Sequence, residues 1–232
     1  MNLRRLQSYS VDKNFYAKFY VEVKEKSKKV KTNTHASRHA TTHAPAPEPM
    51  KLTSLFWSFY SLTEQEILEQ NKFKVKNAYC MKFVEDIKKD KVFLKQNKLK
   101  FHDIESSLLY DKDISLSTLK CMALFRKLNL IYVWNNKYYI FESNDEDDFY
   151  FIERNREKYS SFHSLKKTDI LETMVKGKLY MEDLRVQLKA PGSYKMDDIK
   201  GKAELLSIPL TDSDGKRKTK QKLYEEINSK ID

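Results

Sequence analysis

Two runs of β-branched and aromatic residues, Leu130-Ile131-Tyr132-Val133-Trp134 and Lys137-Tyr138-Tyr139-Ile140-Phe141, stand two residues apart. Asn135 and Asn136 separate them, and asparagine tolerates the positive φ that a two-residue turn needs. The spacing predicts an antiparallel hairpin turning at Asn135-Asn136. Helical periodicity precedes it. Leu119, Met122, Ala123, Phe125 and Leu128 make the apolar face of a helix over Thr118–Asn129, with Ser115 or Ser117 as its cap. Met81, Val84, Ile87, Phe93 and Leu94 predict a helix from Ala78 to about Leu99, whose polar side carries Lys82, Lys88, Lys89, Lys95, Lys98 and Lys100. A short helix is expected over Asp103–Tyr110. Leu55 to Leu62 is apolar enough for a buried helix or strand, and Thr63 with Glu66 offers a capping box toward Glu69.

The clearest boundary is Ala44-Pro45-Ala46-Pro47-Glu48-Pro49, where alternating prolines fix φ and remove backbone donors. The expected organisation is a basic N-terminal segment (1–31) and a disordered, proline-containing linker (32–50). A helical domain (51–160) follows with its hairpin at 130–141, then a helical connector (161–193) and a final helix pair (194–232). In the head, Phe15 to Val21 could form a short strand. The acidic stretch Glu142 to Asp148 lacks the mid-loop glycine and terminal glutamate spacing of a calcium loop and reads as a solvated connector. Ile170 to Val175 and Leu179 to Leu188 look helical. The predicted class is therefore α+β, mostly helical, with one β-hairpin and a C-terminal helix-loop-helix.

Helix, turn, helix and an immediate hairpin is the element order of a winged helix, and residues 75–142 resemble that family in architecture. If that likeness carries to function, Lys120, Arg126 and Lys127 face a DNA groove. The last unit carries more information. Met196, Ile199, Ala203 and Leu206 line one face of a first helix, and Pro209 stops it. Asp214-Gly215 supplies a turn, Thr219 can cap a second helix, and Leu223, Ile227 and Ile231 give that helix its apolar side. On Ile199, Ala203, Leu206, Gly215-Lys216, Lys220 and Leu223, this unit resembles the SAP motif, a DNA-binding helix hairpin. Its loop is longer and contains Asp212 and Asp214. The ending Gly215-Lys216-Arg217-Lys218-Thr219-Lys220 is also similar to lysine-rich endings in proteins of large nucleocytoplasmic DNA viruses. Independently of the resemblance, Lys216, Arg217, Lys218, Lys220 and Lys222 crowd a helix start, where free N–H groups and the helix dipole already favour an anion.

Charge agrees with that reading. Lysine and arginine total 44 against 33 aspartate and glutamate, and the excess of +11 favours a polyanionic partner. Four glycines leave no material for a glycine-rich phosphate loop, and no common nucleotide-binding or hydrolase signature occurs. His35, His39 and His43 have the spacing of helical metal ligands but lie among Thr, Ala and Pro, so solvated histidines are expected. Cys80 and Cys121 read as buried reduced thiols. No catalytic residue, metal or cofactor is expected. No run approaches the roughly 18 apolar residues of a membrane span, and an intracellular location is expected, in an infected cell and in the virion. The sequence thus predicts a non-enzymatic, viral DNA-binding protein acting in packaging, transcription or anchoring. The alternatives are a structural virion protein contacting other virion proteins, and an adaptor docking through Phe56-Trp57.

Overall fold

The computed structural model describes residues 50–63, 71–185 and 188–231. The basic head, the linker up to Pro49 with its three histidines, and the helix expected beyond Thr63 lie outside the described residues. The chain enters the fold through strand β1 (Met50–Leu52), followed by helix α1 (Leu55–Thr63). Leu55, Phe56, Phe59 and Leu62 are buried, so this apolar stretch is a core helix. Its first N–H groups are answered from a distance. Asp113 accepts hydrogen bonds from Leu55 N (2.7 Å), Phe56 N (3.1 Å) and Ser54 Oγ (2.9 Å), filling the place of a local cap.

The helix expected over Ala78–Leu99 is two helices. α2 (Lys72–Lys89) and α3 (Lys91–Gln96) meet at Asp90, which leaves helical φ/ψ and accepts a hydrogen bond from Phe93 N through its side chain. Cys80, Phe83, Val84 and Ile87 face inward, whereas Met81, expected on the apolar face, is exposed. α4 (Phe101–Leu109) and α5 (Leu116–Phe125) follow. Ser115 Oγ caps α5 by accepting from Thr118 N, as the sequence suggests. α5 stops four residues short of its predicted end. Lys127 takes a φ of +56°, and Leu128 N bonds to Ala123 O, a Schellman closure that releases Asn129 from the helix.

Six strands form one mixed sheet in the order β1-β5-β4-β2-β3-β6. β2 (Leu130–Trp134) and β3 (Lys137–Phe141) form the expected antiparallel hairpin, with Asn135 at φ +53°. A second hairpin, β4 (Asp148–Asn155) and β5 (Lys158–Lys166), adds to the far side of β2, and β4 runs parallel to it. β5 therefore runs through the expected boundary at residue 160. β6 (Leu179–Tyr180) lies beside β3, so the helix expected from Leu179 is a short strand followed by non-helical chain over residues 181–185.

Placing β3 and β4 on opposite sides of β2 forces residues 142–147 to cross the start of β2. Asn129, the residue just before β2, meets this crossing with a buried amide. Its Oδ1 accepts from Ser143 N (2.8 Å) and Asn144 N (3.2 Å), and its Nδ2 donates to Asn144 Oδ1 (2.6 Å) and Glu146 O (2.7 Å). One side chain thereby partners Ser143 N, Asn144 N and Glu146 O of the crossing loop. Among the described residues no cluster of ligating side chains could hold a metal ion.

One face of the sheet, with Leu130, Tyr132, Tyr139, Phe141 and Ile152, packs on α1, α2, α4 and α5 in the main core. The other, with Ile131, Val133, Phe149 and Phe151, is covered by Ile170, which opens a π-helical turn at Ile170–Met174, and by Val175 just beyond it. After a turn at Pro191–Ser193 the chain ends in two paired helices, α6 (Met196–Leu205) and α7 (Lys220–Ile231). Their buried residues Ile199, Ala203, Leu223, Ile227 and Ile231 join the main core, and Asn136 Nδ2 in the β2–β3 turn donates to Lys230 O (2.7 Å). The fold is thus α+β and mostly helical, with a small mixed sheet and C-terminal paired helices.

Candidate nucleic-acid interface

The C-terminal loop is more ordered than a lysine-rich connector needs to be. α6 closes with Ser207 at φ +57° and Ile208 N bonded to Ala203 O (2.8 Å), which turns the chain sharply before Pro209. Residues 210–218 then fold back on themselves. Lys218 N donates to Leu210 O, Asp212 N donates to Lys216 O, and Thr211 pairs with Arg217 as an antiparallel bridge. Gly215 takes the turn at φ +74°, a conformation that a side chain would strain. Thr219 Oγ1 accepts from Lys222 N (3.3 Å) and so caps α7 as expected.

Within this frame the five cations separate into two groups. Lys218 is buried, and its Nζ lies 2.6 Å from Glu226 Oε2 on α7. Lys222 Nζ sits 2.7 Å from Asp212 Oδ1, and that hydrogen bond raises the lysine's pKa. Asp212, one of the acids lengthening the loop, thus ties the loop to the first turn of α7. Lys216 and Arg217 are exposed and Lys220 is half-exposed, and no carboxylate pairs with any of the three among the described residues. Two lysines brace the loop, and three cations are left free at the positive end of a helix.

The other expected cations, Lys120, Arg126 and Lys127, sit on and just after α5. α5 buries Thr118, Leu119, Cys121, Met122, Ala123 and Leu124 and leaves Leu116, Ser117, Lys120 and Phe125 half-buried. The hairpin after it is no wing, because β2 and β3 each have a second strand neighbour, β4 and β6. Lys120 is half-buried. Burial lowers its pKa, with Lys98 adding to the shift and Asp183 opposing it. Arg126 stacks 5.2 Å from the Tyr79 ring centre, and Lys127 holds the left-handed closure of α5. Of the three cations, Lys120 is half-buried while Arg126 and Lys127 are exposed just beyond the end of α5.

Of the pair expected to dock a partner, Phe56 is fully buried in the core and Trp57 is half-buried, packing edge-on against it at 5.1 Å. The thiols are buried too. Burial pushes Cys80 up to about 11 and Cys121 up to about 12, values at which neither is a nucleophile near neutral pH. Among the described residues no helix is long and apolar enough to cross a membrane. No family model matches the chain, and no curated protein matches it.

Sequence reasoning named all five C-terminal cations but could not divide them. The division depends on Glu226, two helical turns into α7, and on an aspartate that looked like a departure from the motif. It also passed over the Lys88–Lys100 stretch as an ordinary polar helix face.

Proposed function

We propose that this protein is a non-enzymatic DNA-binding protein that holds the phosphate backbone through the loop between α6 and α7. The observation that carries the reading is the set Lys216, Arg217 and Lys220, which has no carboxylate partner among the described residues, on a loop braced by Lys218–Glu226 and Lys222–Asp212. A pre-ordered loop loses little conformational freedom on binding, so more of the electrostatic attraction appears as affinity. The likeness to the SAP hairpin points the same way. Lysine on a flexible stem meets a phosphate as a point charge, so such a site positions the duplex without reading bases.

The test uses the full chain, labelled duplexes of differing sequence and fluorescence anisotropy over a range of salt. Replacing Lys216, Arg217 and Lys220 by glutamine is expected to weaken binding evenly across sequences. It also flattens the dependence of log K on log salt by about 0.9 for each phosphate no longer neutralised. A variant that binds as the parent does at every salt concentration would remove the loop from the interface.

A further inference from the structure

Residues 88–100 hold six lysines and one carboxylate, and all six lysines are exposed. The one acid, Asp90, is occupied in capping α3 through Phe93 N. Lys89 has Asp86 at 3.8 Å. No carboxylate pairs with Lys88, Lys91, Lys95, Lys98 or Lys100 among the described residues. Elsewhere the same protein answers its surface lysines with acids, as in Lys166–Asp148, Lys200–Asp197 and Lys222–Asp212.

The backbone also holds these lysines close together. Asp90 joins α2 directly to α3, so Lys88 and Lys91 flank a single junction. Lys91 and Lys95 are one turn apart on α3, with Cβ atoms about 5–6 Å apart by helix geometry. Lys98, at φ +55°, makes the left-handed closure with Leu99 N bonded to Leu94 O, and Lys100 sits where α4 begins. Like charges fixed at these spacings repel one another in the free protein, and a polyanion relieves that repulsion. Lys98 also lies near enough to Lys120 to contribute to that residue's lowered pKa, after burial, against Asp183.

We infer that the α2–α3–α4 junction, through Lys88, Lys91, Lys95, Lys98 and Lys100, is a second surface for the phosphate backbone of a nucleic acid, separate from the C-terminal loop. The inference borrows its ligand class from the function proposed above but stands on different residues. An anionic membrane is the poorer fit, because surface-bound helices bury a broad apolar face. In residues 88–100 the one large apolar side chain left exposed is Val92.

The experiment uses the full chain with three sets of substitutions. The first is Lys91→Gln, Lys95→Gln, Lys98→Asn and Lys100→Gln, with asparagine at 98 because it tolerates positive φ. The second is the C-terminal set Lys216→Gln, Arg217→Gln and Lys220→Gln. The third is Lys91→Arg, Lys95→Arg and Lys100→Arg. Anisotropy is read with a labelled mixed-sequence duplex from low to moderate salt, alongside flotation with vesicles containing anionic lipid. The first set is expected to flatten the salt dependence by about 0.9 for each phosphate released from a lysine, and the arginine set to preserve it. A flattened slope for the first set but not the second leaves this surface standing and removes the C-terminal loop. An unchanged slope for the first set overturns the inference, whether or not vesicle binding is lost. So does an arginine set that fails as the glutamine set does, since charge would then not be the cause.

Discussion

Lys218 and Lys216 are two residues apart, carry the same charge and do opposite things. Lys218 threads its side chain inward and ends on Glu226, with 7% of the lysine side chain exposed and 33% of the glutamate's. Lys216 is exposed across the loop from Asp212, whose carboxylate is spent on Lys222. Lys218→Gln therefore strips Glu226 of its cation. Breaking a fully buried pair costs about 3–5 kcal/mol, and the glutamate's partial exposure to water reduces the expected loss to about 1–2 kcal/mol. That loss is read as a lower urea midpoint at unchanged m, while the salt dependence of DNA binding stays with the parent. The opposite pattern, unchanged stability with a flattened salt slope, would make Lys218 a phosphate ligand. Lys216 and Lys218 cannot be separated from sequence, because the feature that distinguishes them is a glutamate eight residues beyond Lys218.

At the scale of elements, α5 and the β2–β3 hairpin were legible because their signals are local. A serine cap, an apolar stripe and an Asn-Asn turn lie within one short stretch of chain. The β4–β5 hairpin was missed for a local reason as well. Its two-residue loop is Arg156-Glu157, and Arg156 takes φ +56° without being glycine or asparagine, so no turn residue marks it. β5 also carries serines where an inward-facing strand would show apolar residues. Ser161 is buried there, and its small side chain lets α1 approach until Ser61 Oγ and Ser161 Oγ are 3.5 Å apart. In α7 the periodicity was read correctly, and Leu223, Ile227 and Ile231 are buried as expected. Leu223→Ala is expected to cost about 2–5 kcal/mol, and Leu205→Ala, at an exposed position on α6, under about 0.5 kcal/mol. Thermal melts of the two variants check this. Equal midpoints would mean that the α6–α7 interface carries little of the stability.

For the whole molecule, the sequence marks residues 194–232 as a final helix pair, and periodicity does not say what that pair packs against. An apolar stripe tells which side of a helix is covered but not by what. The structure covers α6 and α7 with the same core that holds α5 and the sheet. A chain ending at Ser193 is accordingly expected to lose cooperative unfolding and to expose apolar surface to a hydrophobic dye. A truncated chain that melts like the parent would make the pair a separate module. The order of the strands has a further consequence, for solubility. Leu130–Trp134 and Tyr138–Phe141 combine β-branched and aromatic residues with almost no charge, the composition of segments that stack into fibrils. β2 lies inside the sheet with a neighbour on each side, β3 is covered on its outer side by β6 at Lys137 and Tyr138, and the strands at the two margins are three and two residues long, too short to template an added chain. The margin beside the hairpin is β6 alone, so it is the loss of β6 that would open the outer side of β3 to a growing fibril.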